Sequence, residues 1–304
     1  AVVDFNGYDE TYRERCPAAL AWLTALRENG NGWLPGEKAE LAPNMKNAYD
    51  YPWRPYKMAL AEKLRDVTQM YRCGQRIRES CADTWPELRN MPESIQAFVD
   101  ANTQGIMQNR FPCVSTEGKC AYIDFETISN VYDSFRNFPL AEENGMIFMI
   151  GVLLHEEDDA GHVFVAESMT REAEKRILAE FCQYLCSSGV RRMFHWGHAE
   201  VTALKCYSEM FKSFEFIDLC TLFRQSRVAL PGMFSYSLKD VLRACSTDAG
   251  WQVDGPKNGL DAMDMALEAY LDGVMPPECI SRYNLDDCKA LREIVKKVNA
   301  AKKS

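Results

Sequence analysis

The order of short apolar segments in the second half of the chain constrains its fold more than any other feature. Three strand-like segments come first, at Cys120 to Thr127, Gly145 to Leu154 and His162 to Glu167. Two more, Arg191 to Trp196 and Phe214 to Leu219, alternate with helical segments. Three sequential strands followed by alternating helices and strands indicate a mixed α/β sheet. We therefore predict an α/β fold with a mixed five-stranded sheet flanked by helices.

Helical patterns fill the rest of this region. Thr170, with Glu174 close behind it, is placed to cap a helix that runs to about Leu185. The other predicted helices cover Ala199 to Phe211, Ser237 to Ala244, Gly259 to Asp272 and Pro277 to Ala301. The polar segment Asn130 to Asn144 is predicted to be a loop.

The first part of the chain, residues 1 to about 110, is predicted to be helical. The predicted helices cover Thr11 to Glu28, Trp53 to Tyr71, Gln75 to Ala82 and a segment capped by Ser94. Leu64 to Trp85, with a turn at Gly74, faintly suggests a helix-hairpin-helix, in which backbone N–H groups contact a nucleic-acid phosphate. The usual second glycine of that hairpin is missing, so an ordinary helical turn is the favoured interpretation. We expect two regions, at 1–110 and 114–304.

Composition and charge narrow the class of protein. The chain is 47% hydrophobic and 26% charged, the balance of a globular protein with a core. Its longest apolar run is far shorter than the roughly 18 residues of a membrane span, so we expect no membrane partner. The first residues lack the basic and apolar regions of a signal peptide. A net charge of −9 argues against a uniformly basic, non-specific nucleic-acid coat.

Positive charge nevertheless collects in two segments. Seven Lys or Arg residues stand against three acids between Arg54 and Glu79, and four stand against Asp240 alone between Thr221 and Arg243. Both segments are candidate phosphate-facing patches, and solvated helix faces are an equally good interpretation.

The twelve cysteines contain no Cys-x-x-Cys pair, which excludes a zinc ribbon. Several lie inside apolar segments. Buried free thiols in a reducing, intracellular compartment, cytoplasmic or nuclear, are the favoured interpretation over disulfides.

Two acids lie two residues apart on the first predicted strand. Asp124 and Glu126 therefore point to the same side of the strand, whereas Ile123 and Phe125 point to the other side. Such acids must be solvated, paired or supplied with a cation. The motif alone is weak, because an exposed pair of this kind is common.

Two further acidic motifs come later in the chain. Glu200 falls in the first turn of a helix, where the helix dipole favours negative charge. On the last predicted helix, Tyr283 and Asp287 are four residues apart and share one face, whereas Asp286 is rotated away. Each motif alone is also expected of ordinary solvated helices.

Together these motifs resemble the DEDD exonucleases of the RNase H-like superfamily, in the branch with a tyrosine in the last motif. The resemblance implies that Asp124, Glu126, Glu200 and Asp287 hold two Mg²⁺ or Mn²⁺ ions, with Asp124 bridging both. Glu200 stands where the family usually has aspartate, and would act partly through water. Tyr283 would orient the attacking water. The implied activity is hydrolysis of phosphodiester bonds from a single-stranded 3′ end of DNA or RNA, in the 3′–5′ direction.

A closer resemblance covers residues from about 15 to about 298. The segments PNMKNAYDYPW, LRDVTQMYRCG, FHWGHAEVTAL, FSYSLKDV and YNLDDC are similar to predicted RecB-family nucleases. In those proteins the RNase H-like domain follows a restriction-like nuclease domain, whose acidic and lysine site we do not find in the first 110 residues. The chain therefore resembles either the C-terminal part of a longer nuclease, alone or in a complex, or a homologue without the first nuclease.

Several other residues are candidates for contact with substrate or with the site. His195, Trp196, Lys239 and Arg224 are candidate substrate-binding residues, and Trp196 fits core packing equally well. Asp218 is a candidate to support the metal ligands or to replace Glu200, and Asp286 is a candidate to support them.

The sequence also contains candidates for other classes of function. A zinc site at His195 and His198 would need ligands such as Cys206 and Asp218, and a cysteine nucleophile lacks an evident activating partner. The main alternative to the nuclease is a catalytically inactive RNase H-like module for nucleic-acid binding or assembly, which would keep the fold and lose the metals.

Overall fold

The computed structural model describes residues 12–30, 54–129, 145–156, 160–245 and 255–301. The predicted loop at Asn130 to Asn144 and the segment Pro43 to Trp53 lie outside these ranges. The chain divides into two compact units, Ala1–Glu87 and Leu88–Ser304. Each unit is described by itself.

The first unit is helical in its described part, as predicted. It contains α1 (Tyr12–Asn29), α2 (Arg54–Leu64) and α3 (Gln75–Ser80). Large apolar residues of α1 are exposed, with Leu20 at 64%, Trp22 at 44% and Leu23 at 46%. Helical periodicity thus predicted the helix but not a buried face.

A buried acid organises the end of the first unit. The Asp66 side chain is 1% exposed and accepts hydrogen bonds from the backbone N–H and the hydroxyl of Thr68, at 2.9 and 2.6 Å. It also forms an ion pair with Arg78. Between α2 and α3 the chain forms a short 3₁₀ helix, Val67–Gln69, and not the second half of a long helix. The segment that faintly suggested a helix-hairpin-helix therefore contains two short, separate helical pieces, Val67–Gln69 and Gln75–Ser80.

The second unit contains the predicted five-stranded sheet. Its strands are β1 (Cys120–Ile128), β2 (Met146–Leu154), β3 (His162–Val165), β4 (Arg192–His195) and β5 (Glu215–Asp218). Their order across the sheet is β3-β2-β1-β4-β5. The first three strands pair antiparallel, and β4 and β5 add in parallel. The prediction of a mixed sheet from the segment order is confirmed.

Helices flank this sheet. They are α4 (Glu93–Gln104), α5 (Arg171–Ser187), α6 (Ala199–Ala203), α7 (Ser208–Phe211), α8 (Leu219–Ser226), α9 (Leu238–Cys245), α10 (Gly259–Leu271) and α11 (Glu278–Ala300). Two local predictions were wrong. The continuous helix Ala199 to Phe211 is broken by a 3₁₀ segment, Leu204–Tyr207, and α4 takes Pro92 and not Ser94 as its N-cap.

The two faces of β1 have different partners. Phe125 points toward α5, where its ring lies 5.9 Å from that of Phe181, and Ile123 joins the same buried core. Asp124 and Glu126 point to the opposite face, toward α11, as the alternation along the strand predicted. The acids are thus held by a strand whose other face is anchored in the core.

Helix α11 lies very close to the sheet because two glycines leave room for it. A Cβ atom on Gly151 would lie 2.0 Å from Oδ1 of Asn284, and one on Gly161 would lie 2.6 Å from Leu285. A side chain at Gly151 would have to displace the Asn284 side chain, and one at Gly161 would have to displace the Leu285 side chain. This close approach brings the α11 side chains to the acids of β1.

Helix α4 is part of the second unit. Asn102 donates to the backbone oxygen of Met233 at 2.9 Å, and the backbone N–H of Gly232 donates to Asn102 at 2.8 Å. Gln108 also pairs with Ala229 in an isolated bridge. These contacts join α4 to residues 229–233 of the same unit. The region boundary predicted between 110 and 114 stays a prediction.

All twelve cysteines are free thiols. Among the described residues, none of the helices combines the length and the hydropathy needed to cross a bilayer.

Candidate metal centre

Three carboxylates that are far apart in sequence meet at one place. Asp124 and Glu126 come from β1 and Asp287 comes from α11, and each offers an oxygen within 4.8 Å of the oxygens of the other two. Glu126 and Asp287 are buried, at 5% and 8% exposure, and Asp124 is half-buried. The structure therefore brings together three of the four acids that the sequence proposed as metal ligands.

A bulge in the sheet lies beside this cluster. Glu126 pairs with Met149, but the next residue, Thr127, pairs with Ile147, so β2 contains one extra residue at this point. Bulges of this kind bend a strand and redirect its side chains, and they are frequent next to active sites. Glu126 lies at the last regular pair before the bulge.

Helix α11 presents two adjacent rows of side chains to the sheet. Tyr283 and Asp287 form one row and Asn284 and Cys288 form the next, each with the four-residue spacing of one helical turn. Asn284 donates to Oδ2 of Asp124 at 2.6 Å and to the backbone oxygen of Asp124 at 3.2 Å. Sequence reasoning identified the first row and missed the second.

Burial and mutual repulsion disfavour simultaneous ionisation of the clustered carboxylates. Burial, Asp287, Glu126 and Glu200 raise the pKa of Asp124 well above its usual value, against the effect of the Asn284 hydrogen bond. Burial and Asp287 raise the pKa of Glu126 to about 8, although Asn284 and Lys239 act in the opposite direction. A divalent cation would remove this repulsion, because it supplies the positive charge that the cluster lacks.

Tyr283 and Lys239 border the cluster. Burial and the nearby Asp287, Glu126 and Asp124 carboxylates raise the pKa of Tyr283, which also makes a hydrogen bond with Asp287. Lys239, in the first turn of α9, places its Nζ 5.0 Å from the centroid of the Tyr283 ring. The same ammonium group bonds the backbone oxygen of Lys257. Lys239 is therefore the predicted substrate-binding residue with the clearest connection to the carboxylates.

Glu200 lies next to the three carboxylates but outside their group. It is 4% exposed in the first turn of α6, and its charge contributes to the raised pKa of Asp124. Oε2 of Glu200 lies 3.3 Å from Nδ1 of His195, without the geometry of a hydrogen bond. Within the described part of the chain, both buried atoms lack a hydrogen-bond partner. A buried carboxylate oxygen in this state fits a role toward a cation or its water.

Asp218 holds the loop that leads to Glu200. It caps α8 by accepting from the backbone N–H of Thr221 at 3.1 Å, and it accepts from the N–H of Gly197 at 2.8 Å. Burial opposes its ionisation, but the hydrogen bonds from Thr221 and Gly197 outweigh burial, so the pKa of Asp218 lies below its usual value. Asp218 thus acts on the loop geometry and is not part of the three-carboxylate group.

Trp196, Arg224 and Asp286 are the remaining candidate residues. Trp196 donates to the backbone oxygen of Tyr236 at 2.9 Å and lies against Phe223, which is the contact set of a packed ring. Arg224 is exposed on α8. Asp286 forms an ion pair with Lys289 on α11, at 3.1 Å. Substrate binding by Trp196 and Arg224, and a supporting role for Asp286, stay predictions.

Comparison with known protein families identifies the superfamily of the chain. The sequence model of the RNase H superfamily matches residues 137–299, which is more than half of the chain. The chain belongs to the RNase H superfamily. Members of this superfamily are usually nucleases that use divalent metals, and the buried carboxylate cluster fits such ions. None of the curated proteins compared with the chain matches it.

Proposed function

We propose that this RNase H superfamily protein is a metal-dependent nuclease that hydrolyses phosphodiester bonds of DNA or RNA in the 3′–5′ direction. The convergence of Asp124, Glu126 and Asp287, with oxygens within 4.8 Å of one another, carries the proposal. Oxygen ligands favour Mg²⁺ or Mn²⁺ over softer metals. Two such ions, when bound, stabilise the attacking and leaving oxygens of an in-line displacement at phosphorus.

Each acid has a proposed role that follows from its position. Asp124 has three acidic neighbours, Asp287, Glu126 and Glu200, which supports its role as the acid that would hold both ions. Glu126 and Asp287 lie beside it and complete the ligand set. Glu200 is slightly removed from the other three, which supports a contact through water. The longer glutamate side chain at this position agrees with that role.

Tyr283 is proposed to orient the attacking water. The phenol O–H is used in the hydrogen bond with Asp287, which leaves the oxygen lone pairs to accept a hydrogen bond from a water molecule. Its hydrogen bond with Asp287 fixes the ring beside the cluster. Lys239, over the face of this ring, is proposed to contact a substrate phosphate. His195 is also proposed to bind substrate, and its Nδ1 lies 3.3 Å from Oε2 of Glu200.

The subtype is proposed from the order of the motifs. The Asp-x-Glu pair, the later acid and the Tyr-x-x-x-Asp row support the tyrosine-containing DEDD branch, which would take a single-stranded 3′ end. The additional similar segments support kinship with the RNase H-like domain of RecB-family nucleases. A longer polypeptide or complex with a second nuclease stays part of this proposal.

A gel assay tests the activity and its direction. Single-stranded and duplex DNA and RNA, labelled at the 5′ end, are incubated with protein and Mn²⁺. A 3′–5′ exonuclease gives a descending ladder that a 3′-terminal phosphorothioate cap suppresses, and it leaves a circular single strand intact. Cleavage of the circle would show an endonuclease and overturn the proposed direction.

Matched variants assign the activity to the cluster. Asp124→Asn and Asp287→Asn each remove one charge at the site, and Asp264→Asn removes one from an exposed position on α10. Activity should vanish in the first two variants and persist in the third. Equal activity in all three variants would mean that the carboxylates are not the catalytic group.

Melting curves test the alternative function, a catalytically inactive nucleic-acid-binding module. The wild-type protein should show an Mn²⁺-dependent rise in melting temperature that Asp124→Asn lacks, because a ligand stabilises only the state that binds it. Nucleic-acid binding without cleavage, and with no such rise, would favour the binding module.

A further inference from the structure

Asn284 is buried between α11 and the sheet, directly against Asp124. Its side chain is 0% exposed. Nδ2 donates to Oδ2 of Asp124 at 2.6 Å and to the backbone oxygen of the same residue at 3.2 Å. One amide group therefore holds both the carboxylate and the main chain of the acid at the centre of the cluster.

Gly151 makes this contact possible. It is the direct partner of Asp124 in the pairing of β1 with β2. A Cβ at Gly151 would lie 2.0 Å from Oδ1 and 3.0 Å from Cγ of Asn284, and 3.2 Å from Sγ of Cys288. Atoms that are not bonded cannot approach so closely, so any larger residue must push Asn284 away from the sheet.

The orientation of the Asn284 amide follows from its surroundings. Oδ1 is buried and has no N–H or O–H partner within the described part of the chain, and it lies against the Gly151 backbone, where a Cα–H group is a weak donor. The reverse orientation would place this oxygen against the Asp124 carboxylate, where two acceptors would repel each other. Asn284 therefore acts as a donor toward Asp124.

We propose that Asn284, seated on Gly151, is a positioning residue that fixes the Asp124 carboxylate for cation binding. By holding Oδ2, it leaves the other carboxylate oxygen for the metal. The inference rests on the proposed metal-dependent function and adds two residues to it. Groups that orient a metal ligand in this way typically change metal affinity by about 10–100-fold when they are removed.

Two substitutions at Asn284 separate the hydrogen bond from packing. Asn284→Ala removes both the donor and volume, whereas Asn284→Leu keeps a branched side chain of similar shape without a donor. If the donor matters, both variants should bind Mn²⁺ about 10–100-fold more weakly than wild type. If Asn284 only packs, the leucine variant should keep wild-type affinity.

Gly151→Ala, a change on β2, tests the same contact between Asn284 and Asp124. The added methyl group displaces the amide but leaves Asn284, Asp124 and the other acids chemically intact. We expect the same direction of change in Mn²⁺ affinity. Asn102→Ala is the matched control, because Asn102 also links a helix to a distant segment by hydrogen bonds but lies on α4. It should lower the melting temperature and leave Mn²⁺ affinity unchanged.

The experiment measures Mn²⁺ affinity by electron paramagnetic resonance of free ion, with melting curves of the metal-free proteins alongside. Weak binding by both Asn284 variants and by Gly151→Ala, with normal binding by Asn102→Ala, supports the proposal. Wild-type affinity in either Asn284 variant overturns it. If wild type itself binds no Mn²⁺ and cleaves nothing, the proposed function has failed, which is a separate outcome.

Discussion

The two halves of the acidic site are built in different ways. Asp124, Glu126 and Asp287 lie on a strand of 9 residues and a helix of 23 residues. Glu200 follows a strand of 4 residues and lies in the first turn of a helix of 5 residues. Between those two short elements the chain turns at Gly197, which has a φ of +86°. The first half depends on long regular elements, and the second depends on a loop.

This difference indicates how each half is held. Alternation along β1 and the helical repeat of α11 determine where the three clustered acids point. The position of Glu200 depends instead on Asp218, which binds the N–H of Gly197 and caps α8. We therefore expect the first half to be essential for binding the metals and the second half to adjust their activity.

The largest expected effect compares one acid from each half. Asp287→Asn should reduce the rate of phosphodiester hydrolysis by more than about 100-fold, because it removes a member of the three-carboxylate group. Glu200→Gln should reduce it by about 10–100-fold, as is typical of a group that acts through another ligand or water. Single-turnover rates at saturating Mn²⁺ measure both changes. Equal losses would show that the two halves contribute equally.

The metal-free protein should lose stability as pH rises. The pKa of Glu126 is raised to about 8 in the folded protein, so its contribution is fully present below the unfolded value near 4.5. That contribution is lost as pH rises toward about 8, because the unfolded chain ionises first. We expect a fall of at least about 1 kcal/mol in the free energy of unfolding.

Urea unfolding at several pH values in a chelator measures this effect. Glu126→Gln should flatten the dependence, and saturating Mn²⁺ should restore stability at the alkaline end. A slope that is identical in wild type and Glu126→Gln would show that repulsion within the cluster does not weaken the fold.

The half of the site that carries Glu200 should depend on Asp218, the N-cap of α8. Asp218→Ala removes the N-cap of α8 and the bond to Gly197, and should reduce the free energy of unfolding by about 0.5–2 kcal/mol. Asp218→Ala should slow hydrolysis by about as much as Glu200→Gln does. Mn²⁺ affinity should change little. A loss of Mn²⁺ affinity as large as that of Asp287→Asn would make Asp218 part of the metal site.

The smallest expected effect comes from the glycine turn. Gly197→Ala places a side chain at a φ of +86°, but a Cβ there would meet nothing within 4 Å. Only backbone strain of about 1 kcal/mol is expected, with a modest loss of activity through Glu200. Melting curves and the same kinetic assay check this. An unchanged rate would mean that the turn can move without displacing Glu200.

Sequence reasoning was most successful where regular periodicity decides the structure. The order of apolar segments predicted the five strands, and the two-residue spacing placed Asp124 and Glu126 on one face. The helical repeat placed Tyr283 with Asp287. These predictions need only the two-residue repeat of a strand and the 3.6-residue repeat of a helix, so they can be made without knowledge of tertiary contacts.

Other features depend on contacts that a single sequence does not reveal. Asn284 and Gly151 are more than a hundred residues apart, and the packing of α11 against the sheet brings them together. The 3₁₀ segment at Leu204–Tyr207 and the Pro92 cap of α4 are details of helix boundaries, which apolar periodicity does not determine. A glycine inside an otherwise apolar strand was the one available sign of a close approach at Gly151.

The most direct test of the account is a crystal structure of the protein with Mn²⁺, using anomalous scattering to locate the ion. We expect anomalous density between Asp124, Glu126 and Asp287, at about 2.0–2.2 Å from their oxygens, and its loss in Asp124→Asn. Ordered carboxylates with no anomalous density between them, in crystals saturated with Mn²⁺, would contradict the metal centre on which the nuclease proposal depends.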